Sequence, residues 1–132
     1  MLARLDGLAQ TLCHFDLHPA NVLGTDRSVV IDWAYCGLGA IGLDPGVLVV
    51  DGIADEALAP ELADAAADEV WRGYLSGLRA GGWTGREEDG ARWAYLRGTA
   101  LRLSWMPRGV KSAWDATREL LDRWLEQARE LA

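Results

Sequence analysis

Pro19 restricts this chain more than any other residue. A proline offers no backbone N–H and its ring clashes with the preceding helical turn. Leu2, Leu5, Leu8 and Leu12 lie at helical spacing, but that pattern breaks at Cys13-His14-Phe15-Asp16-Leu17-His18-Pro19. Beyond the proline the pattern changes in kind. Asn21-Val22-Leu23 and Ser28-Val29-Val30-Ile31-Asp32-Trp33 flank the turn Gly24-Thr25-Asp26-Arg27. Two β-branched runs around a short polar turn read as a hairpin. Glycines come next, then Asp44-Pro45, an acceptor before a proline, which marks a helix start.

The rest reads as helices. Pro60 suits a first turn, and Leu62, Ala66, Val70, Tyr74 and Leu78 recur until Gly81-Gly82 ends the run. Thr84-Gly85-Arg86-Glu87 has the form of a capping box, opening a helix through Trp93, Leu96, Ala100 and Leu103 that stops at Pro107-Arg108-Gly109. A last helix carries Trp114, Thr117, Leu121, Trp124, Ala128 and Leu131. Seven tryptophans are read as packing area rather than ligand platforms. The expected fold is mainly α with a short β-hairpin (α+β). It forms one domain over 1–132, with the loop and hairpin in 12–50 and a helical subdomain in 58–132.

Charge narrows the partners. Thirteen Lys and Arg face twenty Asp and Glu, for a formal net charge of −7, a balance that repels phosphate backbones and argues against nucleic acid. No apolar run reaches the length of a membrane span or of a secretory signal. Cys13 and Cys36 match neither a disulfide framework nor a zinc pattern, so a reduced, cytoplasmic chain is expected. From Asp51 to Glu69 there are seven acids and no base. That stretch reads either as a solvated face or as a wall that attracts a cationic small molecule.

A hairpin sets the start of its first strand beside the end of its second. Asn21 and Asp32 occupy those ends, offering an amide oxygen and a carboxylate, the hard donors that suit Mg²⁺. Asp16, five residues before Asn21, lies in a loop directed at the same end, where a carboxylate can accept a hydroxyl proton. One base and two metal ligands are the minimum protein equipment for phosphoryl transfer.

His14-Phe15-Asp16 with Asn21 also fits H-x-D-x-x-x-x-N, and Asp32 falls where a metal aspartate comes after the hairpin. Leu12 to Leu23, Val30-Ile31-Asp32-Trp33 and Gly37-Leu38-Gly39-Ala40-Ile41-Gly42-Leu43-Asp44 together resemble the aminoglycoside phosphotransferase family of small-molecule kinases. The resemblance implies the C-terminal lobe of a protein-kinase-like fold and ATP-dependent phosphorylation of a hydroxyl on a small, in one version cationic, acceptor. It gives Asp16 as catalytic base, and Asn21 and Asp32 as ligands of the Mg²⁺ that carries ATP or another nucleoside triphosphate. His14 becomes a loop scaffold, His18 a supporting residue and Asp44 the cap of the next helix. Phe15 stands where the family usually has a small residue, and Ala34 where an acid is common.

The catalytic loop starts at residue 14, and Lys111 is the only lysine, so the N-terminal lobe with its nucleotide-clamping lysine is expected to be absent. A lone lobe exposes an apolar seam, which makes a missing lobe or self-association the expected partner. Three other readings stand beside this one. A non-catalytic lobe remnant would act as a binding module. Alternating His14, Asp16 and His18 could hold the metal of a hydrolase. Gly37-x-Gly39-x-x-Gly42 formally matches a dinucleotide loop, but it is separated from its strand and reads better as a flexible segment.

Overall fold

The computed structural model describes residues 2–24, 26–102 and 111–131, with side chains undescribed at Leu2, Leu101, Arg102 and 111–114. It is a mixed α+β structure. Helix α1 spans Leu2–Asp6, strand β1 Gln10–Cys13, and strands β2 Val22–Leu23 and β3 Val29–Val30 form the hairpin. Strand β4 covers Gly37–Ala40, and after it come α2 (Val47–Ala54), α3 (Ala63–Ala80), α4 (Glu88–Arg102) and α5 (Lys111–Glu130). β1 pairs antiparallel with β4, matching Cys13 to Gly37 and Gln10 to Ala40. β2 pairs antiparallel with β3, matching Val22 to Val30.

The hairpin forms but is shorter than read, since Asn21 ends a 3-10 turn and Asp32 lies two residues beyond β3. The leucine pattern before it does not hold. α1 ends at Asp6, and Leu12 lies in β1, facing Leu38 across the ladder and 61% exposed. Strand pairing outcompetes the helical spacing there.

The glycine-rich segment is likewise strand and tight turn rather than a flexible loop. Gly42 has φ +90°, and a methyl on it would meet the Ala91 carbonyl oxygen at 2.0 Å. A methyl on Gly98 would meet the Leu43 side chain at 2.6 Å, so small residues on α4 let the 41–46 turn seat directly upon that helix.

α3 begins after a 3-10 turn at Pro60–Leu62, as its proline suggests. Its buried stripe is Ala63, Ala67 and Leu75, one residue out of step with the leucine series, and Leu62 is exposed. The capping box does not form. α4 starts at Glu88, and the Glu87 carboxylate instead accepts the Ala9 N–H at 2.8 Å. The stop at Pro107-Arg108-Gly109, with Leu103, lies outside the described residues.

One apolar core joins α1, β4 and the four longer helices. Its spine is aromatic: Trp71 to Tyr95 at 5.2 Å and Tyr95 to Trp124 at 5.3 Å between ring centroids, linking α3, α4 and α5. Tyr95 donates its hydroxyl to the Ala67 carbonyl at 2.9 Å, satisfying the buried polar atom. Trp33 departs from the packing role given to the tryptophans, being 45% exposed. Among the described residues, no helix is long and apolar enough to cross a membrane.

Candidate active site

β1 delivers the chain into the loop at Cys13, which is buried and whose thiol is pushed up to about 12, chiefly by burial and then by the Asp44 charge. The next two backbone N–H groups, of His14 and Phe15, both donate to the Asp44 carboxylate, Phe15 at 3.0 Å. Asp44 therefore does not cap α2. The N-cap of that helix is Gly46, and only the Asp44 carbonyl reaches it, accepting the Val47 N–H at 3.2 Å. A carboxylate accepting two adjacent N–H groups pins the loop more firmly than one neutral bond.

His14 is 2% exposed and both ring nitrogens are engaged. The Asp16 N–H donates to Nδ1 at 3.2 Å, so Nε2 carries the proton it gives to the Ile31 carbonyl at 2.8 Å. Its ring also meets Trp33 edge-on at 4.7 Å. One side chain thus ties the loop to both neighbours of Asp32. With neither nitrogen free, His14 cannot serve the metal-hydrolase reading, and no cluster of His, Cys, Asp or Glu able to hold a metal occurs among the described residues.

Pro19 opens a 3-10 turn over Pro19–Asn21 that buries Asn21. The Asn21 Nδ2 donates to the Asp16 carbonyl at 2.9 Å and to its carboxylate at 3.3 Å, leaving Oδ1 for another partner. His18 Nε2 lies 4.0 Å from the same carboxylate. The Ile31 N–H donates to the Asn21 carbonyl at 3.0 Å, continuing the hairpin ladder by one step. Asp32 is the next residue. It is exposed, sits at φ 60°, ψ 60°, and its carboxylate makes no hydrogen bond among the described residues.

Asp16, Asn21, His14 and His18 are therefore gathered directly, while Asp32 joins them through Ile31 and Trp33. A left-handed aspartate costs on the order of 1–3 kcal/mol and is held only where its surroundings dictate it. Two hard oxygen donors, the Asn21 Oδ1 and the Asp32 carboxylate, fit a magnesium ion in their chemistry.

Phe15, beside the candidate base, also has positive φ, at 61°. The hold of the Asp44 carboxylate on the loop is what motif reasoning missed, because it spans 29 and 30 positions. The acidic stretch is partly answered by bases: Arg123 donates to both Asp64 oxygens at 3.1 Å, and Arg92 and Arg72 face Asp68 and Glu69. A cleft of about 660 Å³ lies between β1 and α3, lined by Ala9 to Leu12, Tyr74 and Trp83 among others. None of the expected site residues lines it.

A family model described as a phosphotransferase enzyme family matches residues 1–88, a span containing every residue of this cluster. No curated protein and no solved structure matches the chain.

Proposed function

The chain belongs to the phosphotransferase enzyme family, and from that membership we propose that it moves a phosphoryl group from magnesium-ATP to a hydroxyl of a small molecule. The arrangement suits the C-terminal lobe of a kinase-like enzyme. The outward apolar pairs Leu12–Leu38 and Leu23–Val29 are taken as the surface that a strand-rich, nucleotide-clamping lobe covers.

The observation that carries the reading is the Asp16–Asn21 contact, with exposed Asp32 one residue past the Ile31–Asn21 bond and its carboxylate unbonded among the described residues. Asp16 is the base: its carboxylate orients the acceptor hydroxyl and takes the proton. Asn21 steers that carboxylate through Nδ2 and offers Oδ1 to the cation, with Asp32 as the second ligand. Magnesium-ATP, when bound, supplies the phosphoryl group and the positive charge that offsets its negative oxygens. His14 is structural, and its scaffold keeps Asp32 at the hairpin end. His18 supports the Asp16 carboxylate at the oxygen that Asn21 also meets. An amino-sugar acceptor is the finer proposal, attracted by the exposed acids Asp55, Glu56 and Glu61 of the 51–69 stretch.

The test is magnesium-ATP-dependent labelling across amino sugars, amino alcohols and neutral sugars. Asp16→Ala should lower turnover roughly 10²- to 10⁴-fold with the fold nearly intact. Asp32→Ala should weaken magnesium-ATP binding more than acceptor binding. Undiminished phosphorylation by Asp16→Ala would remove the proposed base, and no affinity at millimolar magnesium-ATP would favour a binding module.

A further inference from the structure

Three glycines interrupt the segment after Asp32, and the first two have one explanation between them. A methyl on Gly37 would lie 3.3 Å from the Phe15 Cε2 and 3.8 Å from Cδ2, with no other atom among its near neighbours. A methyl on Gly39 would lie 2.7 Å from the Phe15 Cζ and 3.0 Å from Cε1, besides 2.9 Å from the Cys13 Sγ. The Phe15 ring therefore lies across the bare backbone of β4, on ground that only glycine leaves open. β4 is reached from Asp32 through the short turn Trp33–Tyr35. On the other side, Phe15 is bonded directly to Asp16.

The backbone of Phe15 makes the packing more telling. Its φ of 61° is strained for a residue of this size, where glycine would fit without penalty. A bulky residue kept in that conformation needs a compensating contact, and the ring on Gly37 and Gly39 supplies one. The ring is still 38% exposed, so it is not part of the core that holds the helices together.

The geometry points to Phe15 as a positioning residue of the phosphotransfer site: its ring, keyed into the Gly37–Gly39 strand, fixes the base Asp16 relative to Asp32. This rests on the proposed phosphotransfer reading. The Asp44 carboxylate holds the loop by its backbone, and the Phe15 ring locks it against sliding along β4. Misplacing a reacting group by about 1 Å can cost as much as 10²-fold in rate.

The test is a double-mutant cycle between Phe15→Gly and Gly37→Ala, read twice, by thermal unfolding of the full chain and by magnesium-ATP turnover. Phe15→Gly relieves the backbone and should leave the chain folded, yet lower kcat about tenfold with KM for magnesium-ATP unchanged. Gly37→Ala alone should lower both the melting temperature and kcat, because its methyl presses on the ring. In the Phe15→Gly background the same methyl meets nothing and should cost neither.

Equal cost of Gly37→Ala in both backgrounds, or a Phe15→Gly variant that turns over as fast as the unaltered chain, overturns the proposal. An unaltered chain with no turnover of magnesium-ATP overturns the phosphotransfer reading and the positioning role together. Non-additive melting in that case still demonstrates the keyed ring, so the two failures are told apart.

Discussion

From Ala63 onward the largest buried side chains among the described residues meet one another, Tyr95 on Trp124 with Leu96, Leu120 and Leu121 around them, and half-buried Trp71 packs on Tyr95. Between His14 and Leu38 the order is reversed. There Phe15, Ile31, Trp33, Tyr35 and Leu38 are exposed, while His14 and Asn21 are buried. The helical region is held by apolar area, which tolerates small shifts in direction. The loop region is held by directed bonds: Asp44 to two N–H groups, His14 to Asp16 and Ile31, Asn21 to Asp16. Fixing atoms to fractions of an ångström is a task for the second kind of contact, and the proposed phosphotransfer is a reaction that needs it.

The sharpest way to break this comparison is to cut the core and ask whether the site notices. Trp124 is 2% exposed at the centre of the aromatic spine. Trp124→Ala should cost about 3–5 kcal/mol of stability, as deletion of a large buried aromatic does. Denaturant unfolding measures it. The fraction of chains that remain folded should nevertheless turn over magnesium-ATP at the normal rate. A loss of kcat in fully folded protein would mean that the two regions are one mechanical unit.

Asp44 gives the converse and smaller effect. Asp44→Ala leaves the His14 and Phe15 N–H groups without their acceptor. The exposed Phe15 N–H can turn to water, while the part-buried His14 N–H should cost about 1 kcal/mol, the low end for a donor deprived of its partner. Here kcat should fall at temperatures where unfolding is negligible, because the loop carrying Asp16 is loosened. Asp44→Asn retains one acceptor oxygen and should lie between. Normal kcat in folded Asp44→Ala would reduce the carboxylate to a stability element.

The same contrast accounts for what the sequence disclosed. That Asn21 and Asp32 lie near one another is legible because hairpin register brings the ends of two adjacent runs together, and the Asp16–Asn21 contact spans only five positions. His14 is legible as a scaffold through its motif, although its bond to Ile31 is not. Asp44 reads as a helix cap and is not one: an acid before proline looks the same whether its oxygens turn toward its own helix or toward a loop 30 positions away. Gly37 and Gly39 look flexible in the sequence because their meaning lies in the ring above them, which no local pattern records. Leu12 continues the leucine spacing of α1 yet enters β1, since strand pairing is decided by β4. Glu87 is drawn from its capping box by the Ala9 N–H. The helices are legible as elements, but their inward faces depend on which neighbours they meet, and α3 turns by one residue.

Cys13 stands where the two regions join, and alkaline pH provides the mildest probe of that junction. Its thiol ordinarily ionises near 9.0 and is pushed up to about 12 in the fold, first by burial and second by the Asp44 charge. Between those values the unfolded chain releases a proton that the folded chain retains. The contribution is therefore fully present below pH 9 and is lost as pH rises toward 12, with the loss reaching about 1 kcal/mol near pH 10. Tyr74 and Tyr95, whose hydroxyls are also raised by burial, add losses of the same sign beginning above pH 10.

Denaturant unfolding at pH 8 and pH 10 measures the slope, and Cys13→Ala should flatten it. A thiolate forming beneath β4 would face the Asp44 carboxylate that anchors the loop. Turnover should thus fail at a lower pH than the helical signal, and coincident loss of the two would show that the loop and the helices let go as one.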